Sequence, residues 1–116
     1  MIIDRNRMRS MTKNNQKLIS TVSQLFLNEL PDMILNIEHA YQAANRDELA
    51  NAVHRLKSGL GNFVTSDYYQ EFSYIEMIAR DNKPPIVPLD KWFDEWDHTK
   101  SKLDILSAEL KEMAGI

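Results

Sequence analysis

Apolar residues recur every three or four positions along four separate blocks of this chain, and no segment alternates with a strand's period of two. The first block starts at about residue 16 and carries Leu18, Val22, Leu25, Phe26, Leu30, Met33, Ile34, Ile37 and Tyr41. The second carries Leu49, Val53, Leu56, Leu60 and Phe63, and the third Tyr68, Phe72, Ile75 and Ile78 with Ala79. The fourth runs through Leu89, Trp92, Phe93, Trp96, Leu103, Leu106, Leu110 and Met113. An apolar stripe on a helix must be buried against another element. Four such helices joined by short connections predict an all-α fold, an antiparallel up-down-up-down four-helix bundle. A chain of 116 residues suits one domain with one core.

Breaks in the pattern set the boundaries. Pro31 lies inside the first block, where a proline removes a backbone donor and clashes with the carbonyl of Leu27. The stripe keeps its phase across it, which favours one helix of roughly 27 residues, about 40 Å long and kinked near Pro31, over two helices. Asn45 is placed to take the left-handed conformation that ends this helix, and Asn45 or Asp47 to cap the next, over about 47–62. Thr65, Ser66 and Asp67 are candidate caps for a third helix over about 66–81. The run Asp81-Asn82-Lys83-Pro84-Pro85-Ile86-Val87-Pro88 reads as an extended loop, with the last helix over about 88–113. Residues 1–15 read as an N-terminal tail, frayed or partly helical, ahead of a bundle over 16–116. The tail sets Arg5, Arg7, Arg9 and Lys13 against Asp4 alone, so the other reading is a basic arm that touches an acidic partner.

Composition narrows the function classes. There is no cysteine, hence neither a disulfide framework nor thiolate chemistry. Fourteen basic and 17 acidic residues are well mixed, for a net charge of −3, without the basic stripe of a nucleic-acid groove. No apolar run has the length of a signal peptide or a membrane span. A monomer in the cytoplasm is the expectation.

The second block holds the candidate site. His54 lies one residue off the stripe, at its edge. Its helix neighbours are Ala50 four before, Lys57 three after, Ser58 four after and Gly61 seven after. The imidazole therefore stands on a face cleared of large side chains, with one cation beside it. Two of the three glycines, Gly59 and Gly61, fall in the same turn and a half. A glycine inside a helix costs about 1 kcal/mol against alanine, which suggests close approach from outside. The alternatives are that Gly61-Asn62 is a left-handed helix cap and Lys57 an ordinary solvated lysine.

Several chemistries lack their parts. The three histidines, His39, His54 and His98, lie on three different predicted helices without ligand spacing, so no metal site is expected. His39 and His98 read as solvated. Ser58 is near His54, but no orienting acid for a nucleophilic triad follows from the spacing. No phosphate-cradling glycine loop is present, so the chain does not make its own phosphoryl donor. A neutral imidazole remains as a nucleophile, and an imidazole with its unperturbed pKa of about 6.5 is mostly neutral near pH 7.

The pattern His54-x-Leu56-Lys57-small-small, followed by a small residue, a polar residue and an aromatic, resembles the active helix of histidine phosphotransfer domains. The run Leu25-Phe26-Leu27-Asn28-Glu29-Leu30-Pro31-Asp32-Met33 looks like that family's first helix, and Tyr68 to Arg80 like its third. The resemblance implies a phosphorelay intermediate. Nε2 of His54 would accept a phosphoryl group from an aspartyl phosphate on the receiver domain of a hybrid sensor kinase and pass it to a response-regulator receiver. Mg²⁺ would be supplied by the receivers, and no cofactor is expected on this chain. Lys57 matches the family's motif lysine, a cation for the charge that spreads over the transferring oxygens. Glu76, twenty-two residues after the histidine, matches a Gln or Glu position whose side chain would accept from Nδ1–H; its other reading is a simple pair with Arg80. Arg80 matches a basic position near enough to meet phosphate or a receiver. Ser58, Gly59, Gly61 and Ala50 complete the expected contact face. Ser58 departs from the family's usual glycine: it would either donate to phosphate or crowd the donor. Two other readings stand beside the relay, a helical module that docks on a receiver or kinase without being phosphorylated, and a plain structural bundle.

Overall fold

A computed structural model of the chain describes residues 1–80 and 84–116. Among the described residues there are five α-helices: α1 (Arg5–Thr12), α2 (Gln16–Gln42), α3 (Arg46–Leu60), α4 (Ser66–Arg80) and α5 (Leu89–Ala114). The only β-type pairing there is an isolated bridge between Ile3 and Val64. The start of the expected 81–88 loop, Asp81 to Lys83, lies outside the described residues; Pro84 to Pro88 are non-helical, as expected.

The long helices form a ring of contacts. α2 packs on α3 and α5, and α4 packs on the same two. The start of α2 meets the end of α5: Gln16 donates to the Met113 carbonyl at 2.8 Å and Ser20 to that of Ala114 at 2.9 Å. At the other end of α2, Tyr41 lies against Trp92 and Phe93, with ring centroids 5.6 and 4.9 Å away. Trp92 and Trp96 are fully buried, as their spacing predicted. Each still satisfies its indole N–H, Trp92 on the Ile75 carbonyl at 3.0 Å and Trp96 on Glu38 at 3.3 Å. Thr99, polar within the fourth stripe, is buried and donates to Glu71 at 3.1 Å.

α2 runs unbroken through Pro31 as a single 27-residue helix. Its buried face differs from the expected one in the first half. Leu18 and Leu25 are 42% and 58% exposed, while Ile19 and Ser23 turn inward. This half of the helix offers apolar groups on two adjacent stripes, and packing against the other helices chooses between them.

Residues 1–15 are partly helical, one of the two forms expected, but they are not frayed. Asp4 caps α1 by accepting from the Arg7 amide at 3.1 Å, and Lys13 ends it in the left-handed conformation at φ 54°. Ile2, Ile3 and Met8 belong to the main core. Backbone bonds run from Asp4 N–H to the Phe63 carbonyl and from Thr65 N–H to that of Ile2, both at 2.9 Å. The Glu109 carboxylate accepts the amides of Ile2 and Ile3 at 3.0 and 2.9 Å. The weak helical spacing of this segment hid it, because its apolar groups face a strand-like contact and a helix in turn.

Two turn expectations change. The left-handed residue after α2 is Ala44, at φ 54°, and not Asn45, which is extended and caps α3 by accepting from the Glu48 amide at 3.1 Å. Gly61 is right-handed at φ −62°, so it is no left-handed cap. Its lack of a side chain has another cause: a Cβ there would stand 2.8 Å from the Tyr69 ring.

Candidate functional site

α3 and α4 lie side by side, and the start of one meets the end of the other, with Arg46 donating to the Ile78 carbonyl at 3.2 Å. Their caps set the register. Asn45 starts α3, and the Thr65 hydroxyl accepts from the Tyr68 amide at 3.3 Å at the start of α4. Val53 and Leu56 on α3 and Phe72, Ile75 and Ala79 on α4 are buried. That leaves His54 and Glu76 at the outer edge of the same seam.

The two side chains meet there. Nδ1 of His54 is 3.2 Å from each carboxylate oxygen of Glu76. The His54 side chain is 56% exposed and that of Glu76 only 16%. A carboxylate can only accept, so in the neutral ring the proton sits on Nδ1 and the lone pair on Nε2, with the ring open to solvent. Glu76 also receives the Lys57 ammonium at 2.7 Å and has the Arg80 guanidinium at 3.7 Å. Burial pushes the Glu76 carboxyl up, but the bonds and charges of Lys57 and His54 outweigh it and hold the group below the ordinary carboxylate range. Glu76 therefore stays ionised around neutrality, which the orienting role requires.

Lys57 is not an ordinary solvated lysine. Its side chain is 14% exposed, and its ammonium lies 5.5 Å from the centre of the Tyr69 ring. Arg80 does pair with Glu76, yet it also donates to the Asn51 side chain at 3.0 Å, which bridges α4 back to α3 one turn before His54. The pairing of Glu76 with Arg80 and its hold on the imidazole coexist.

The fold thus brings His54, Lys57, Glu76 and Arg80 together. Ser58 is exposed beside them, and Gly61 sits under Tyr69. Gly59 is turned toward α2, where a Cβ would be 3.6 Å from Phe26. Ala50 is fully buried, so it belongs to the core and cannot touch a partner. Two residues of the cluster were given no role from the sequence. Asn51 lies three residues before His54, and Tyr69 seven before Glu76 on the same face of α4. Both stood at the right helical spacing to be found. His39 and His98 are exposed, as expected.

A ring of helices with an open imidazole whose inner nitrogen is held by a largely covered carboxylate defines a class: a helical bundle that presents an oriented, accessible histidine. The family is given by the Hpt domain model, which matches residues 21–112. The chain belongs to the Hpt domain family, which carries out histidine phosphotransfer in two-component signalling and interacts with receiver domains. No match is found among curated proteins or solved structures. Among the described residues, no helix is long and apolar enough to cross a membrane.

Proposed function

We propose that this chain is a phosphorelay intermediate, with His54 taking a phosphoryl group from the aspartyl phosphate of a hybrid kinase's receiver and giving it to the receiver of a response regulator. The observation that carries this reading is the pairing of an exposed His54 ring with Glu76 at Nδ1. In the forward step the Nε2 lone pair attacks phosphorus, an N–P bond forms, and the acyl phosphate's P–O bond breaks. The aspartate leaves as a carboxylate. The proton on Nδ1 stays between His54 and Glu76, so the developing positive charge on the ring faces a fixed negative one. Transfer onward reverses these events on a second receiver. Mg²⁺ belongs to the receivers, and this chain supplies position and needs no cofactor of its own.

The same proposal takes residues 16–116 as the phosphotransfer bundle, with its four long helices alternately up and down, and α2 bent where Pro31 lacks a donor. The end-to-end pairings of α2 with α5 and of α3 with α4 support that course. The protein acts as a cytoplasmic monomer in this reading.

The test is transfer of label from a panel of phosphorylated receiver domains. Label should move to this chain, be lost in acid, and fail to appear on His54→Gln. Retention of label on every receiver would favour a docking module that is not phosphorylated.

A further inference from the structure

Beside the His54 cluster, the end of α3 and helix α1 border a recess of about 440 Å³, lined by Arg7, Lys57, Ser58, Gly61, Asn62 and Tyr69. Arg7 reaches it from a segment outside the residues that the family model matches. Its backbone is not loose. Ile3 and Met8 on either side are buried, and the segment is tied to Phe63, Thr65 and Glu109 by the bonds given above. The guanidinium itself has no carboxylate within ion-pairing distance among the described residues. Four of the carboxylates at this end of the molecule are committed elsewhere. Asp4 caps α1, Glu109 holds two amides, Glu112 pairs with Arg5 at 3.4 Å, and Glu76 is shared by Lys57 and His54. The recess thus gathers the exposed Arg7 side chain on a tethered backbone, Ser58 and Asn62, together with Lys57.

We propose that this recess is a docking subsite for an acidic side chain of the protein that approaches His54, with Arg7 as its anchor. A carboxylate matches the guanidinium's paired N–H groups, and Ser58 and Asn62 can donate to the same oxygens. The occupant is not the phosphoryl group. Ser58 is a helix neighbour of His54, but by Asn62, at the far side of the recess, the chain has advanced about 12 Å. A group bonded to Nε2 does not span that distance, whereas a neighbouring side chain on a docked protein does. α1 is therefore part of the recognition surface, and Arg7 a residue that sets which partner fits. The partner's identity as a receiver rests on the proposed function; the acidic chemistry of the subsite does not.

The experiment titrates the isotope-labelled full chain with the unphosphorylated receiver domains of the transfer panel, at low and high salt. It compares Arg7→Glu, Arg7→Lys and, as an equal change of charge, Arg9→Glu. Arg9 is exposed about 200° around α1 from Arg7. Arg7→Glu should weaken docking about tenfold and flatten its salt dependence, Arg7→Lys should lose part of that, and Arg9→Glu should stay within about twofold. Amide shifts on docking should include Ser58 and Asn62. Equal losses for Arg7→Glu and Arg9→Glu, or none for either, overturn the subsite. If a receiver docks in an Arg7-dependent way but never transfers label, the relay falls and the subsite stands. If Arg7→Glu leaves both docking and transfer unchanged, the subsite falls and the relay stands. A panel in which nothing docks removes both.

Discussion

Glu76 straddles Nδ1 of His54, with both carboxylate oxygens at 3.2 Å, from a helix that the sequence separates by 22 residues. Under the proposed relay this pairing sets which nitrogen reacts. In the neutral ring a proton held on Nδ1 leaves the lone pair on Nε2, and the carboxylate's charge would balance the imidazolium that phosphorylation creates.

Removing that charge while keeping the shape is the direct test. Glu76→Gln retains an oxygen that can accept from Nδ1–H but loses the ionic part. Transfer to His54 should slow about tenfold, equivalent to ~1.4 kcal/mol of barrier. Nitrogen NMR of the ring should show the Nε2–H tautomer gaining population. An unchanged rate and tautomer would leave Glu76 a structural residue.

Lys57 acts on the same carboxylate at 2.7 Å and is largely covered. Lys57→Ala should slow transfer and leave helicity unchanged by circular dichroism. It should also lift the Glu76 carboxyl toward the ordinary range, because the largest opposing influence, burial, would remain. A carbon NMR titration of the Glu76 carboxyl reads that shift.

Acid should loosen the fold through Glu76 and Glu38. Burial raises both carboxyls, yet Lys57 and His54 on the first, and Lys100 and Trp96 on the second, bring them below the ordinary range. Above the unfolded glutamate pKa of about 4.3 both states are ionised and the stabilisation is complete. As pH falls below that value the unfolded chain binds protons first, and the stabilisation is lost as pH passes through the depressed folded values. Urea midpoints measured between pH 6 and pH 3 should therefore drop less for Glu38→Gln than for the parent protein.

Gly59 and Gly61 should respond in opposite ways to the same change. At Gly59 a methyl group meets Phe26 at 3.6 Å, an ordinary contact, so Gly59→Ala should add about 0.5–1 kcal/mol through helix propensity. At Gly61 it would sit 2.8 Å from the Tyr69 ring, which must move off Lys57. Gly61→Ala should cost about 1–3 kcal/mol by overpacking. Thermal or urea unfolding of the two variants decides it.

The N-terminal helix should matter to the whole fold. Met8 is fully buried in the common core. Met8→Ala should cost about 2–5 kcal/mol in equilibrium unfolding, with a single transition. A loss below ~0.5 kcal/mol would mean that α1 is merely laid on the surface.

Much of this was legible beforehand. The stripes located the four long helices to within a residue or two, since a helix that buries one face must repeat its apolar groups at about 3.6 residues. His54 and Lys57 could be placed on one helix by local spacing, and Tyr69, Glu76 and Arg80 on one face of another. The errors fall where local pattern is ambiguous. Ile3 and Met8 have no period to betray them, α2 offered two candidate faces, and the choice of Ala44 over Asn45 for the left-handed turn is a matter of one residue.

What the amino-acid order determined alone is therefore each helix, its apolar side, and the histidine at the edge of one of them. Those properties depend on neighbours within a turn or two. What only the tertiary structure decided is how far apart side chains from different helices end up. It turned Lys57 inward onto Glu76, sank Ala50 below reach, put Tyr69 where Gly61 has no side chain, and carried Arg7 from the first helix to the flank of His54. Relations of that kind arise from packing one helix on another, and helical spacing within a single segment does not encode them.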